Sequence, residues 1–211
     1  MKRPFYYSEA NQIVKNRTFF ERQHPLTDDF YLLEELVSHA ISEEKKLCLD
    51  DLYSIETTTV FLYLKKTHAY YLEKLFPEID ALKSQLIDSK SRDTNKTLVL
   101  TYLINTFKKD TEAHIQLENN HFFPVVESWI ESGSILFCDW VSIQGFMEQH
   151  DDNAQQLSPI IDYLNEYHES NLIGSLLNAK LKVLQADLAI HHQLEEEVLV
   201  PRLREYIKKE R

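Results

Sequence analysis

Residues 177–201 of the chain read LNAKLKVLQADLAIHHQLEEEVLVP. Seven of these residues follow one another at alternating steps of four and three: Leu177, Leu181, Leu184, Leu188, His191, Glu195 and Val198. That spacing places all seven on one stripe of a long α-helix. Because the rest of the stripe is apolar, it predicts a core-facing helix that carries one imidazole and one carboxylate inward.

The same periodicity occurs in three other parts of the chain. Together the four runs predict long helices over roughly 55–85, 95–131, 139–167 and 172–208. Their apolar stripes also carry the polar residues His68, His114, Glu118 and His150. Only three glycines and six prolines occur in 211 residues, which favours helices over turn-rich sheets. Short connections between long amphipathic helices predict an all-α, up-down-up-down four-helix bundle.

The chain is expected to divide near residue 52. Residues 1–52 are predicted to form a small N-terminal helical segment, because apolar positions alternate with charges from Asp28 to Leu49. Residues 53–211 are predicted to form the bundle.

Composition narrows the classes of function. A net charge of −11 disfavours nucleic acid as a partner, since phosphate backbones repel an acidic chain. No apolar run has the length of a membrane span, and no apolar leader follows Met1, so a cytoplasmic location is expected. Cys48 and Cys138 are isolated, which indicates reduced thiols. A hydrolase is disfavoured, because the sequence contains no nucleophile elbow, phosphate-binding glycine loop or dinucleotide fingerprint.

Two segments of the chain match each other. His114–Pro124 and His191–Pro201 both read His-x-Gln-Leu-Glu, then five residues, then proline. A histidine and a glutamate four residues apart share one helix face. If exposed, each pair is an ordinary surface contact worth a few tenths of a kcal/mol. On an apolar stripe such groups must be hydrogen-bonded, paired or bound to metal, and their donor atoms suit Fe, Mn or Zn.

These segments resemble the hemerythrin-like (HHE) family, and within it the di-iron proteins named for repair of iron centres. The residues that carry the resemblance are the stretches 67–77, 114–124, 147–151 and 187–202, and the similarity spans about 55–204. It implies a hemerythrin-like bundle that binds non-haem iron, as a di-iron or a mononuclear centre. The implied ligands are His68, His114, Glu118, His150, His191 and Glu195, with Glu118 and Glu195 as bridges.

The chain departs from the family pattern in two places. Relatives carry another histidine between the positions of His68 and His114, whereas residues 69–113 contain none. Asp88, Asp93 or water is left to fill that place. The adjacent cysteines found in the N-terminal domain of repair-of-iron-centres proteins are also absent from residues 9–52.

The resemblance implies a role in the nitrosative and oxidative stress response, through repair of iron–sulfur clusters. It favours a metal-binding or repair protein over a turnover enzyme. Iron–sulfur proteins would then be partners, and oxygen or nitric oxide would bind at the metal. Two alternatives stay open: an oxygen or nitric oxide sensor that signals to a partner protein, and a helical interaction module without metal.

Overall fold

The computed structural model describes residues 27–88, 94–135, 153–168 and 172–209. Every regular element in these ranges is helical, and none of the ranges contains a β-strand. The prediction of an all-α chain is therefore confirmed for the described residues.

Nine α-helices occur within the described ranges, together with one 3₁₀ helix over Asn153–Leu157. We number the α-helices α1 (Asp28–Ser42), α2 (Leu49–Leu52), α3 (Thr57–Tyr70), α4 (Phe76–Asp88), α5 (Thr94–Leu117), α6 (Phe123–Ser132), α7 (Ser158–His168), α8 (Leu172–Gln193) and α9 (Val200–Lys209).

Three pairs of these helices form continuous rods, joined by short π-helical turns. Tyr71–Leu75 joins α3 to α4, Glu118–Phe122 joins α5 to α6, and Leu194–Leu199 joins α8 to α9. The resulting rods cover 57–88, 94–132 and 172–209, close to three of the four predicted helices. Of the predicted helix over 139–167, residues 139–152 lie outside the described ranges.

The rods pack side by side around one apolar core. The start of the first rod, α3, contacts the end of the second, α6, while α4 contacts α5, so these two rods run antiparallel. In the third rod, α8 contacts α4 and α7, and the turn after α8 contacts α3. In the described residues, no helix combines the length and the apolar character that crossing a membrane requires.

The N-terminal part of the described chain belongs to the same core. Helix α1 contacts α3 and α8, and its Phe30, Leu33 and Val37 are buried together with leucines of the rods. Two aspartates lie in the first turn of α1, where their negative charges interact favourably with the positive end of the helix dipole. Helix α6 ends at Ser132 and is capped by Gly133, which has a left-handed φ of 63° and donates its N–H to Trp129 O.

Candidate metal centre

Four side chains from the three rods meet inside the core. His68, Glu118, His191 and Glu195 each offer one ligand atom, and these atoms lie within 4.8 Å of one another. None of the four residues is more than 5% exposed. The two glutamates come from the two matching motifs, and His68 comes from the end of α3.

Glu118 connects the cluster to a fifth side chain. Its Oε2 lies 3.0 Å from His68 Nε2, and its Oε1 lies 2.9 Å from His114 Nε2, one helical turn earlier. In the other motif, His191 Nε2 lies 3.2 Å from Glu195 Oε1. The structure therefore brings together five of the six residues predicted from the sequence. The sixth, His150, lies outside the described residues.

The two clustered histidines are oriented by neighbouring groups. The Thr67 hydroxyl donates to Leu64 O at 2.7 Å, so its oxygen accepts the Nδ1 hydrogen of His191, also at 2.7 Å. His68 Nδ1 lies 3.0 Å from Asn119 Oδ1, an oxygen that can only accept. With Nδ1 of both neutral rings protonated, both Nε2 atoms present lone pairs to the cluster. Such outer contacts are what fixes the tautomer of metal-binding histidines.

The two Nε2 atoms face each other. His68 Nε2 and His191 Nε2 are 3.1 Å apart, and the rings are stacked with centroids at 4.8 Å. Phe123 stacks against His68 at the same centroid distance of 4.8 Å. Two nitrogen lone pairs this close repel unless a proton or a cation lies between them.

Burial and neighbouring charges shift the pKa values of the two imidazoles in opposite directions. Burial works to lower the pKa of His68, but the hydrogen bond and charge of Glu118, aided by the charge of Glu195, raise it above 6.5 overall. Burial, followed by the nearby charge of His68, holds the pKa of His191 well below its usual range. Without metal, a proton on His68 is favoured as the cation between the carboxylates.

This donor set fits a metal ion. Two imidazole nitrogens and two carboxylate oxygens converge in a buried space, and their ring tautomers are already the ones that ligation needs. Two anionic carboxylates in an apolar core require a compensating positive charge, which a divalent cation supplies more fully than one proton. The cluster can therefore hold a metal ion, whose identity the donor set leaves open among Fe, Mn and Zn.

The three π-helical turns lie at the cluster and share a local sequence. Phe76, Phe123 and Val200 each donate their N–H five residues back, to the carbonyls of Tyr71, Glu118 and Glu195. Each donor immediately precedes a proline: Pro77, Pro124 or Pro201. Because proline lacks an N–H and its ring displaces the carbonyl four residues earlier, the preceding turn widens. Two of the three widened turns contain a cluster glutamate.

The sequence left Asp88, Asp93 or water to take the place of a further histidine ligand. Asp88 is exposed at the end of α4 and is not one of the four cluster residues. Asp93 lies outside the described residues. The supporting roles of Thr67 and Asn119 were not predicted from the sequence, since single threonines and asparagines carry no periodic signal.

The chain matches no known family model, and no curated protein or solved structure is significantly similar to it.

Proposed function

We propose that the chain is a non-haem iron protein of the hemerythrin-like type. In this proposal the rods over 57–88, 94–132 and 172–209, together with the helix that the sequence predicts over 139–167, form an up-down-up-down four-helix bundle around the metal. The observation that carries this proposal is the buried convergence of His68, Glu118, His191 and Glu195 within 4.8 Å. His114, whose Nε2 lies 2.9 Å from Glu118 Oε1, would join the ligand set, and His150 stays a ligand predicted from the sequence.

Iron is favoured over manganese and zinc by the resemblance of the two His-x-Gln-Leu-Glu segments to the hemerythrin-like motif. The contacts of Glu118 suit a bridging role, because its two oxygens serve different histidines, His68 and His114. A bridging carboxylate supports two ions. When bound, the metal supplies an open coordination position for a small molecule such as oxygen or nitric oxide. The protein's own residues bind the metal, orient the two imidazoles and keep water out.

We further propose that the protein acts in the response to nitrosative and oxidative stress, by supplying iron to damaged iron–sulfur clusters. The motivation is a site of exchangeable donor types, imidazole and carboxylate, with no thiolate in the cluster. The protein would then act as an iron donor to iron–sulfur proteins.

Metal content is the direct test of the site. The full chain, purified without a metal-binding tag, is analysed for all transition metals and by Mössbauer spectroscopy. We expect stoichiometric iron in the wild type and its loss in Glu118→Ala and His191→Ala. His121→Ala is the matched control, because His121 is exposed and lies one helical turn beyond Glu118. Wild-type protein with only traces of every metal would contradict the proposal and favour a metal-free interaction module.

The repair role has its own test. An iron–sulfur enzyme inactivated by nitric oxide is incubated with the iron-loaded protein, and recovery of its activity is followed. Wild type should restore activity and Glu118→Ala should not. Equal recovery with free ferrous iron at the same concentration would show that the protein adds nothing.

A sensor is the second candidate, and one contact favours it. The segment between α1 and α2 is hydrogen-bonded to Gln193, which lies between the two cluster residues of the third rod, His191 and Glu195. A change at the metal would therefore reach the N-terminal part of the chain directly. Hydrogen exchange of residues 27–52, measured with and without nitric oxide on the iron protein, discriminates the two roles. Unchanged exchange there would remove the sensor.

A further inference from the structure

A third carboxylate is buried beside the cluster. Asp187 lies on α8 one helical turn before His191, and only 2% of its surface is exposed. Because residues four apart share a helix face, Asp187 lies on the same inward face as the cluster histidine. It is not one of the four residues whose ligand atoms converge, and the ligand set proposed above does not include it. The core therefore holds one more acidic group than the metal-binding cluster uses.

A phenol holds this carboxylate in place. The Tyr71 hydroxyl donates to Asp187 Oδ2 at 2.5 Å, and Tyr71 is itself almost completely buried. A bond of that length is typical of a hydroxyl that donates to an ionised oxygen. Because the phenol is neutral, the hydrogen bond stabilises the carboxylate without cancelling its negative charge. Asp187 thus places an anion at a defined position in the core.

The charge of Asp187 acts on the cluster through His191. The ring of Tyr71 lies beside that of His191, with the two centroids 6.0 Å apart. Burial lowers the pKa of His191, whereas the negative charge of Asp187 works to raise it. A negative charge that stabilises a proton on this ring also stabilises a cation bound to it. In a protein interior, where the effective dielectric constant is below that of water, such an interaction extends beyond direct contact.

We propose that Asp187 sets the oxidation state that the metal centre favours, by adding a third buried negative charge to those of Glu118 and Glu195. The attraction between this charge and the metal grows with the charge of the ion, so ferric iron gains more from it than ferrous iron does. Asp187 acts across space and through His191, not as a ligand. The inference rests on the proposed metal centre and deepens it, because it assigns the preference between two states of the same ion.

The ratio of ferric to ferrous affinity measures this preference, and a redox titration of the iron-loaded full chain gives that ratio. In Asp187→Asn the amide oxygen can still accept the Tyr71 hydrogen, so the hydrogen bond is kept while the charge is lost. We expect the ratio to fall about tenfold, which raises the midpoint potential by about 59 mV. That is the order of the effect of one unit charge across about 10 Å at an effective dielectric constant of about 20.

A matched control separates a local charge from the net charge of the protein. Asp162→Asn removes the same charge from an exposed position on α7, where solvent and salt screen it. Its ratio of ferric to ferrous affinity should stay within about twofold of wild type. The ratio also separates charge from packing, because a purely structural role of Asp187 would weaken the binding of both oxidation states alike.

The outcomes distinguish this inference from the metal centre itself. Full iron loading with the wild-type ratio in Asp187→Asn overturns the inference and leaves the centre standing. Wild type that binds no iron overturns both.

A double variant covers the case in which Asp187→Asn fails to fold or to hold iron. Asp187→Leu combined with Tyr71→Phe replaces both partners of the hydrogen bond by apolar groups, which is tolerated better than the loss of one partner alone. The double variant also lacks the buried charge, so its ratio should fall by about the same tenfold factor. A wild-type ratio in the iron-loaded double variant overturns the inference.

Discussion

Gln116 and Gln193 hold the same place in the two His-x-Gln-Leu-Glu segments, yet Gln116 is exposed and Gln193 is buried. The side-chain amide of Gln193 forms hydrogen bonds with both backbone groups of Leu47. Its Oε1 accepts the Leu47 N–H at 2.9 Å, and its Nε2 donates to Leu47 O at 3.0 Å. One motif position thus joins the N-terminal part of the chain to the third rod, which carries His191 and Glu195, while its counterpart faces solvent.

Replacement of Gln193 by leucine should therefore destabilise the fold. The change removes both partners of Leu47, and a buried backbone group left unsatisfied costs about 1–3 kcal/mol. Urea unfolding should show this loss as a lower midpoint. The matched control is Gln116→Leu, which should alter the free energy of unfolding by no more than about 0.5 kcal/mol. Equal midpoints for the two variants would show that the bonds to Leu47 contribute nothing.

Replacement of Thr67 by valine should weaken metal binding without unfolding the protein. Valine keeps the shape of threonine but cannot accept the His191 Nδ1 hydrogen, so the ring loses its fixed tautomer. Loss of such an outer contact costs about 10- to 100-fold in metal affinity. Competition with a chelator of known affinity measures the change. Thr67→Ser keeps the hydroxyl and should retain near wild-type affinity; a loss as large as that of Thr67→Val would point to packing instead.

Metal affinity should rise with pH through the titration of His68. A proton on His68 competes with the metal, and the raised pKa of His68 extends that competition above 6.5. Below the pKa of His68, affinity should increase by about tenfold per pH unit for the one proton displaced, and above it the dependence should level off. Buried His191, whose pKa is lowered, is neutral over this range and adds no competition. Chelator competition at a series of pH values gives the slope, and a flat profile near neutral pH would contradict this assignment.

Removal of metal should lower the melting temperature. The cluster draws its ligands from three rods, so a bound ion links helices that the unfolded chain does not hold together. With free metal at about 1,000 times its Kd, binding adds about 4 kcal/mol to the free energy of unfolding. Calorimetric scans with added ferrous iron and with chelator measure the difference. The Glu118→Ala variant should melt at one temperature in both conditions, and a wild type that does the same would count against metal binding.

The helical rods and most of the cluster could be predicted from local sequence. Residues 57–88, 94–132 and 172–209 differ by only a few residues at each end from the predicted helices, because apolar spacing sets helix faces directly. His114 with Glu118, and His191 with Glu195, were predicted to share a helix face because residues four apart are adjacent on a helix. The expectation of a separate segment over 1–52 stays a prediction, although α1 packs into the common core.

The sequence by itself determined that the chain is helical and that imidazoles and carboxylates lie on apolar faces, since both follow from contacts within a turn or two. Only the tertiary structure decided that His68 meets His191, that Thr67 and Asn119 orient these rings, and that Tyr71 reaches Asp187. These partners are separated by 51 to 124 positions along the chain. Their contact depends on how the rods pack. Helical periodicity does not determine how far one rod is rotated relative to another.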